Sequence, residues 1–272
     1  MISLDSNAPL RLNGWERAYL PVIHGLPPMG TISLSALADA DQLDRLVPSV
    51  ASNISSDHRQ AAITIIHYAV GAVTEILLMP LVLDGVTIQA SADQLGIVLG
   101  DDRALIGFWA GPDIGVHYGE LVTQSGNQLS ALLRPIVATV QARESLSRRG
   151  LDLVLFDAIW RGCKRLNNLY AVKMDRNWVE DLLNAMGDSR SKKPRTFTVQ
   201  ADEGEPVEMV IPRVCCVLAT HSTPHACPTC PLHSGAARRQ YTEIWLRSLD
   251  EDGFHAETGR KRIISNVLPP IE

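Results

Sequence analysis

The feature that most constrains this chain is a long apolar run, residues 61–83, in which Glu75 is the one charged side chain. A run of this length is sufficient to cross a bilayer as a helix. Against a membrane span, an ionised carboxylate at mid-segment costs about 2.5–3.5 kcal/mol on insertion, and Pro80 interrupts the run. Polar and small residues also share one helical stripe, at Thr64, His67, Gly71, Thr74 and Glu75. We therefore predict a buried core helix.

The composition excludes several classes of protein and several kinds of partner. The chain has 272 residues, of which 46% are hydrophobic and 20% charged, and this excludes a disordered or fibrous protein. A net charge of −5 gives no cationic field, so we expect no nucleic-acid partner and at most peripheral membrane contact. The five cysteines are an odd number, and the first residues lack the pattern of a secretory signal. These features predict a cytoplasmic protein in a reducing compartment.

Hydrophobic spacing predicts an α+β fold that is mainly helical, with a small antiparallel sheet and a C-terminal cysteine-rich segment that binds a cluster. The predicted helices cover residues 35–50, 61–83, 129–140, 151–170, 177–186 and 237–249. The predicted strands cover residues 86–90, 95–100, 104–111, 196–200 and 207–214. The residues before about Ile32 are predicted to be irregular, because prolines are scattered through them.

A loop rich in Gly, Ser, Pro and charge at residues 187–195 gives the best internal boundary. We accordingly divide the chain into a substrate-binding region at 1–190, a cluster-binding region at 191–235, and a C-terminal tail at 236–272 whose role is unassigned.

Four of the five cysteines lie close together near the C-terminus, at Cys215, Cys216, Cys227 and Cys230. Disulfides are disfavoured in a reducing compartment, so metal binding is the leading explanation. Four thiolates suit zinc or an iron–sulfur cluster. Adjacent cysteines on a strand point to opposite faces, which makes Cys215 and Cys216 an awkward zinc pair and favours a larger [2Fe-2S] cluster. The nearby histidines are predicted to be neighbours of the metal, with ligation as an alternative chiefly in a zinc site: His221, His225 and His233.

This cysteine arrangement, Cys-Cys, ten residues, Cys, two residues, Cys, resembles that of the ferric siderophore reductases of the FhuF type. The resemblance extends more weakly over residues 55–232. It includes the long apolar helix with its late proline, the strand ending IGFWAG at 106–111, and the helix LLRPIVATVQA at 132–142 followed by a tryptophan-bearing helix.

The resemblance implies a cytoplasmic protein that holds one [2Fe-2S] cluster on Cys215, Cys216, Cys227 and Cys230 and passes single electrons to the iron of a ferric siderophore, with a hydroxamate as first choice. No G-x-G-x-x-G after a strand and no P-loop occurs in the chain, so the electron must come from outside. The donor is expected to be a ferredoxin, a flavin protein or reduced flavin. No catalytic residue beyond the cluster ligands is assigned.

Two alternative functions stay open. In the first, zinc bound by the same cysteines, or by three of them with His233, stabilises the fold of a non-redox binding module. In the second, the cluster serves an electron-transfer protein with another acceptor.

Several residues outside the cysteine cluster have two interpretations. Cys163 lies on the apolar stripe of a helix and is predicted to be an inert core thiol. The aromatic residues Trp109, Tyr118 and Trp160 are candidates for a pocket wall, but core packing is the commoner role. Basic residues close to the cysteines, Arg213, Arg238 and Arg239, could attract an anionic chelate or an acidic electron donor.

Overall fold

The computed structural model describes residues 18, 20–54, 56–118, 122–170, 176–187, 195–199, 207–213 and 234–252. The helices are α1 (Leu34–Leu37), α2 (Ala40–Asn53), α3 (His58–Val73), α4 (Met79–Asp84), α5 (Val122–Glu144), α6 (Arg148–Tyr170), α7 (Arg176–Ala185) and α8 (Gly235–Asp252). The strands are β1 (Val22–His24), β2 (Thr31–Ser33), β3 (Val86–Gln89), β4 (Leu95–Leu99), β5 (Leu105–Ala110), β6 (Gly115–Tyr118), β7 (Arg195–Val199) and β8 (Val207–Ile211). Helices dominate and the sheets are small, which confirms the predicted α+β class.

The apolar run forms the central helical element of the core. Asp57 caps α3 by accepting a hydrogen bond from Gln60 N at 2.8 Å. A π-helical turn at Thr74–Leu78 joins α3 to α4, and Pro80 lies in the first turn of α4, where a missing N–H is tolerated. By length and composition this helix could cross a membrane, but 78% of its most apolar window is buried inside the protein. The burial supports the predicted core helix.

A core helix leads to a simple expectation about fractionation. The protein should stay in the supernatant after high-speed centrifugation without detergent, because its apolar run is already covered by other helices and strands. Western blotting of the soluble and membrane fractions measures this. Sedimentation with membranes that resists both salt and alkaline washing would contradict the core assignment.

Two sheets flank this central element. The larger has the strand order β1-β5-β4-β2, in which β1 runs parallel to β5 and the other pairs are antiparallel. Strands β3 and β6 form a separate antiparallel pair. The prediction of an irregular N-terminal stretch was wrong for β1 and β2, and β6 was also missed. Strands of three or four residues are too short for an alternating pattern to identify them.

Close helix contacts set the packing of α5 and α7. A Cβ added at Gly126 in α5 would lie 2.5 Å from the carbonyl oxygen of Leu182 and 2.6 Å from the Cβ of Ala185. Glycine is therefore required for these two helices to approach so closely. The side chain of Arg134 extends this contact by donating from Nη2 to the carbonyl oxygen of Met186 at 2.7 Å.

The third sheet pairs β7 with β8 and lies between α6 and α8. Phe197 pairs with Met209, while Thr198 pairs with Glu208 on the opposite face. The face with Glu208 and the buried Val210 packs on α6, where Lys164 forms an ion pair with Glu208. The other face packs on α8, since the Arg238 guanidinium lies 5.8 Å from the centre of the Phe197 ring. The strand predicted to reach residue 214 ends at Ile211.

Candidate metal centre and its supports

The four predicted ligands, Cys215, Cys216, Cys227 and Cys230, lie in residues 214–233, which we name the cysteine segment and which is outside the described residues. His221, His225 and His233 lie there too. Across the described ranges, no group of three or more His, Cys, Asp or Glu side chains is placed to hold a metal ion. Four thiols in one short segment fit the donor set of a [2Fe-2S] cluster, and the ligand assignment stays a prediction.

The chain that leads into the cysteine segment is fixed to α6 by one carboxylate, a contact we name the upstream anchor. Asp157 accepts a hydrogen bond from Arg213 N at Oδ2 (2.5 Å) and another from Arg213 Nε at Oδ1 (2.7 Å). Asp157 is 1% exposed, so the ion pair is screened little by water. Both the backbone and the side chain of a residue two positions before Cys215 are therefore held by a buried group.

The chain that leaves the cysteine segment is fixed as well, by what we name the downstream anchor. Ser234 caps α8, because its Oγ accepts from Ala237 N at 3.2 Å. One turn later the buried Arg238 lies over Phe197, a cation–π arrangement worth about 0.5–2 kcal/mol. Thr242 Oγ1 donates to the Arg238 carbonyl oxygen at 2.9 Å. Both ends of the cysteine segment thus adjoin the same two-stranded sheet, which reduces the entropy that cluster assembly must overcome.

Three charged residues form a row along α6 beside this sheet. Asp157, Arg161 and Lys164 are spaced i, i+4 and i+7, so they share one helix face. The outer two form ion pairs with residues in β8 or just after it: Asp157 with Arg213, and Lys164 with Glu208. Arg161 extends instead toward α3, where its Nη2 lies 3.4 Å from His67 Nδ1. The row connects the upstream anchor to the polar stripe of the core helix.

The π-helical turn lies where α6 crosses the central helix. Thr74 is 2% exposed and Glu75 is fully buried. A Cβ added at Gly162 of α6 would lie 3.0 Å from Thr74 Cγ2 and 3.1 Å from its Oγ1, so glycine permits the crossing. Thr74 Oγ1 has no hydrogen-bond partner within the described part of the chain. Such π turns often occur at functional sites.

His67 gives the protein a specific sensitivity to acid. Burial, together with the smaller effect of the nearby Arg161 charge, lowers the pKa of His67 from 6.5 to about 3. As the pH falls, the unfolded chain takes up the proton before the folded protein does, so the stabilisation is full above pH 6.5 and decreases as the pH drops toward 3.

Replacement of His67 by glutamine tests this pH dependence. Between pH 7 and pH 5, we expect the free energy of unfolding of His67→Gln to fall by about 1–2 kcal/mol less than that of the wild type, as measured by urea unfolding. Equal losses in both proteins would contradict the low pKa.

The predicted core position of Cys163 is confirmed, and two of the three aromatic candidates are core residues. Cys163 is 1% exposed, and burial raises its pKa to about 12, as expected for an inert core thiol. Trp109 and Trp160 are buried, and Trp109 Nε1 donates to the Gly25 carbonyl oxygen at 2.8 Å, so both serve core packing. The side chain of Tyr118 lies outside the described residues.

Two of the three basic residues near the cysteines make contacts that the sequence did not predict. Arg213 is paired with Asp157 and Arg238 is buried against Phe197, so neither is a freely solvated charge, whereas Arg239 is exposed. Sequence reasoning missed Asp157 and Arg161, although charged residues four positions apart, next to the apolar stripe of a helix, were a usable signal.

The chain matches no known protein-family model, and no curated protein shows a significant match to it. The resemblance to FhuF-type reductases accordingly depends on the cysteine spacing and the order of the upstream elements.

Proposed function

We propose that the chain is a FhuF-type ferric siderophore reductase of the cytoplasm, with a [2Fe-2S] cluster held by Cys215, Cys216, Cys227 and Cys230. The spacing of these four cysteines is the observation that carries the proposal. When bound, such a cluster supplies one electron at a time. The substrate is ferric iron in a siderophore, and one electron converts it to ferrous iron, which the chelator binds far more weakly.

The described residues on either side of the ligand segment support this role, because each is fixed to the folded part of the chain. The upstream anchor fixes the chain two residues before Cys215, and the downstream anchor begins four residues after Cys230. The Asp157 carboxylate also balances the charge of Arg213 beside the predicted ligands. A segment tied at both ends keeps its thiolates close together at a smaller entropic cost than a free loop.

Electron supply is proposed to be external. The chain has no dinucleotide-binding or P-loop motif, so a ferredoxin, a flavin protein or reduced flavin is the expected donor. No residue of the described surface is assigned to bind this donor.

The decisive experiment begins with anaerobically purified protein. We expect about two iron and about two sulfide ions per chain and a red-brown visible spectrum. The chemically reduced protein is then mixed with ferric siderophores in a stopped-flow instrument, with a ferrous trap present. Reoxidation faster than that by ferric citrate, with ferrous iron released, supports the proposal. If no siderophore exceeds ferric citrate, the reductase function is wrong and another electron acceptor is indicated.

Zinc binding is the second candidate, because Cys227 and Cys230 have the C-x₂-C spacing of structural zinc sites. In that case the purified protein is colourless and contains zinc without sulfide. Metal analysis of the same preparation distinguishes this non-redox module from the reductase.

A further inference from the structure

The charged row of α6 contains one cation, Arg161, that has no counter-ion among the residues that the structure describes. The two flanking members, Asp157 and Lys164, are each paired with a residue at β8 or just after it. Arg161 is partly buried, and its contacts are the Asp157 carbonyl oxygen at 3.4 Å from Nε and His67 Nδ1 at 3.4 Å from Nη2. No carboxylate among the described residues forms an ion pair with it.

This arrangement is electrostatically incomplete. Withdrawing a guanidinium from water is costly unless an anion compensates its charge. The neighbouring imidazole is uncharged at neutral pH because burial and Arg161 lower the pKa of His67 to about 3. A guanidinium presents a planar fork of donors that matches a carboxylate, and a neutral imidazole can add one more hydrogen bond.

A second observation points to the same crossing of helices. Thr74 is 2% exposed and its Oγ1 lacks a hydrogen-bond partner in the described part of the chain. It faces α6 at Gly162, the residue next to Arg161. Buried hydroxyl groups are normally satisfied, so Thr74 Oγ1 is a second polar group that the described residues leave without a partner.

We propose that Arg161 and His67 form an anion-binding site that receives a carboxylate group of a negatively charged ferric siderophore. This inference rests on the proposed reductase function and narrows its substrate class. It differs from the expected first choice of a hydroxamate, since a ferric trihydroxamate with no free acid group carries no negative charge for Arg161.

The position of Arg161 suits a substrate of the cysteine segment. Arg161 lies one helical turn, about 6 Å along α6, from Asp157. Asp157 in turn holds the backbone of Arg213, two residues before the first predicted ligand. Arg161 is therefore one helical turn from the residue that holds the chain entering the cysteine segment, and electron transfer is favoured by a short path.

Gallium(III) complexes test binding separately from reduction, because gallium(III) resembles ferric iron in size and charge but is not reduced. Calorimetric titration compares a carboxylate-bearing gallium siderophore, the same siderophore without metal, and a neutral gallium trihydroxamate. We expect the anionic complex to bind more tightly than the neutral one. Arg161→Gln should weaken the anionic complex by at least about tenfold and leave the neutral one unchanged.

Two further variants keep the result interpretable. Arg161→Lys retains the charge and should restore part of the affinity, whereas Arg149→Gln removes an exposed cation from the same helix and should change nothing. Unchanged affinity in a folded Arg161→Gln protein overturns the site, as does equal loss in Arg149→Gln. Equally tight binding of the metal-free siderophore would indicate a general carboxylate site and overturn the chelate assignment.

Failure of this site and failure of the reductase function are distinguishable. If the reduced protein is reoxidised by neutral trihydroxamates as fast as by anionic siderophores, the site is wrong and the reductase stands. If gallium complexes bind as expected but no siderophore reoxidises the cluster, the site stands as a chelate-binding site and the reductase is wrong.

Discussion

Replacement of Cys216 by serine is expected to abolish the visible spectrum of the purified protein and most of its iron and sulfide. Serine has nearly the shape of cysteine but offers a hard, weakly acidic hydroxyl in place of a soft thiolate, which is what iron–sulfur clusters bind. The same result is expected at Cys215, Cys227 and Cys230, because each supplies one of the four predicted ligands. Absorption spectra and iron and sulfide assays on anaerobically purified variants measure the effect.

Cys163→Ser is the matched control for these variants. Cys163 is buried in α6 and burial raises its pKa to about 12, so it stays a thiol at neutral pH and is not available as a thiolate ligand. Its replacement should leave the spectrum intact. A bleached Cys163→Ser protein together with a coloured Cys216→Ser protein would show that the ligand assignment is wrong.

Loss of the cluster should also loosen the chain around it. A metal site forms only where folded ligands converge, so metal binding and local order are coupled. We expect faster hydrogen exchange over residues 206–235 in Cys216→Ser than in the wild type. Exchange in α3 should not change, since this helix is packed within the hydrophobic core.

Much of the fold could be predicted from the sequence because its strongest signals are local. The apolar run of α3 to α4 and the one-face pattern of α5 are long enough for helical periodicity to identify them. The π turn at Thr74–Leu78 could not be predicted, because it depends on how α6 crosses at Gly162. The short strands β1 and β6 depend on pairing with distant partners, Phe108 to Ala110 and Val86 to Gln89, respectively.

The candidate site, like the fold, could be predicted from the sequence only in part. The cysteines form a pattern that is visible in sequence, whereas the residues that support them pair through space. Asp157 and Arg213 are 56 positions apart, and His67 and Arg161 are 94 apart. No spacing rule links residues so distant, so these pairs were identified only once the helices and the β7–β8 sheet were assembled.

Replacement of Asp157 by alanine is expected to be among the most damaging single changes in the chain, at about 3–5 kcal/mol of unfolding free energy. The variant removes the acceptor of both the backbone and the side chain of Arg213, and it leaves a mostly buried guanidinium without its carboxylate. Urea unfolding measures the loss. Hydrogen exchange over residues 207–213 should rise, and the iron content should fall, because the upstream anchor no longer holds the cysteine segment.

Asp152→Ala is the matched control, on the same helix. Asp152 pairs with Arg134 at 3.6 Å, but both side chains are about one-third exposed, so its removal should cost about 0–1 kcal/mol. The double variant Asp157→Ala with Arg213→Met should lose less stability than Asp157→Ala alone, because the charge that had faced the Asp157 carboxylate is removed as well. If Asp157→Ala is no more damaging than Asp152→Ala, the upstream anchor does not hold the cysteine segment. A larger loss in the double variant would show that Arg213 stabilises the protein through contacts other than the one with Asp157.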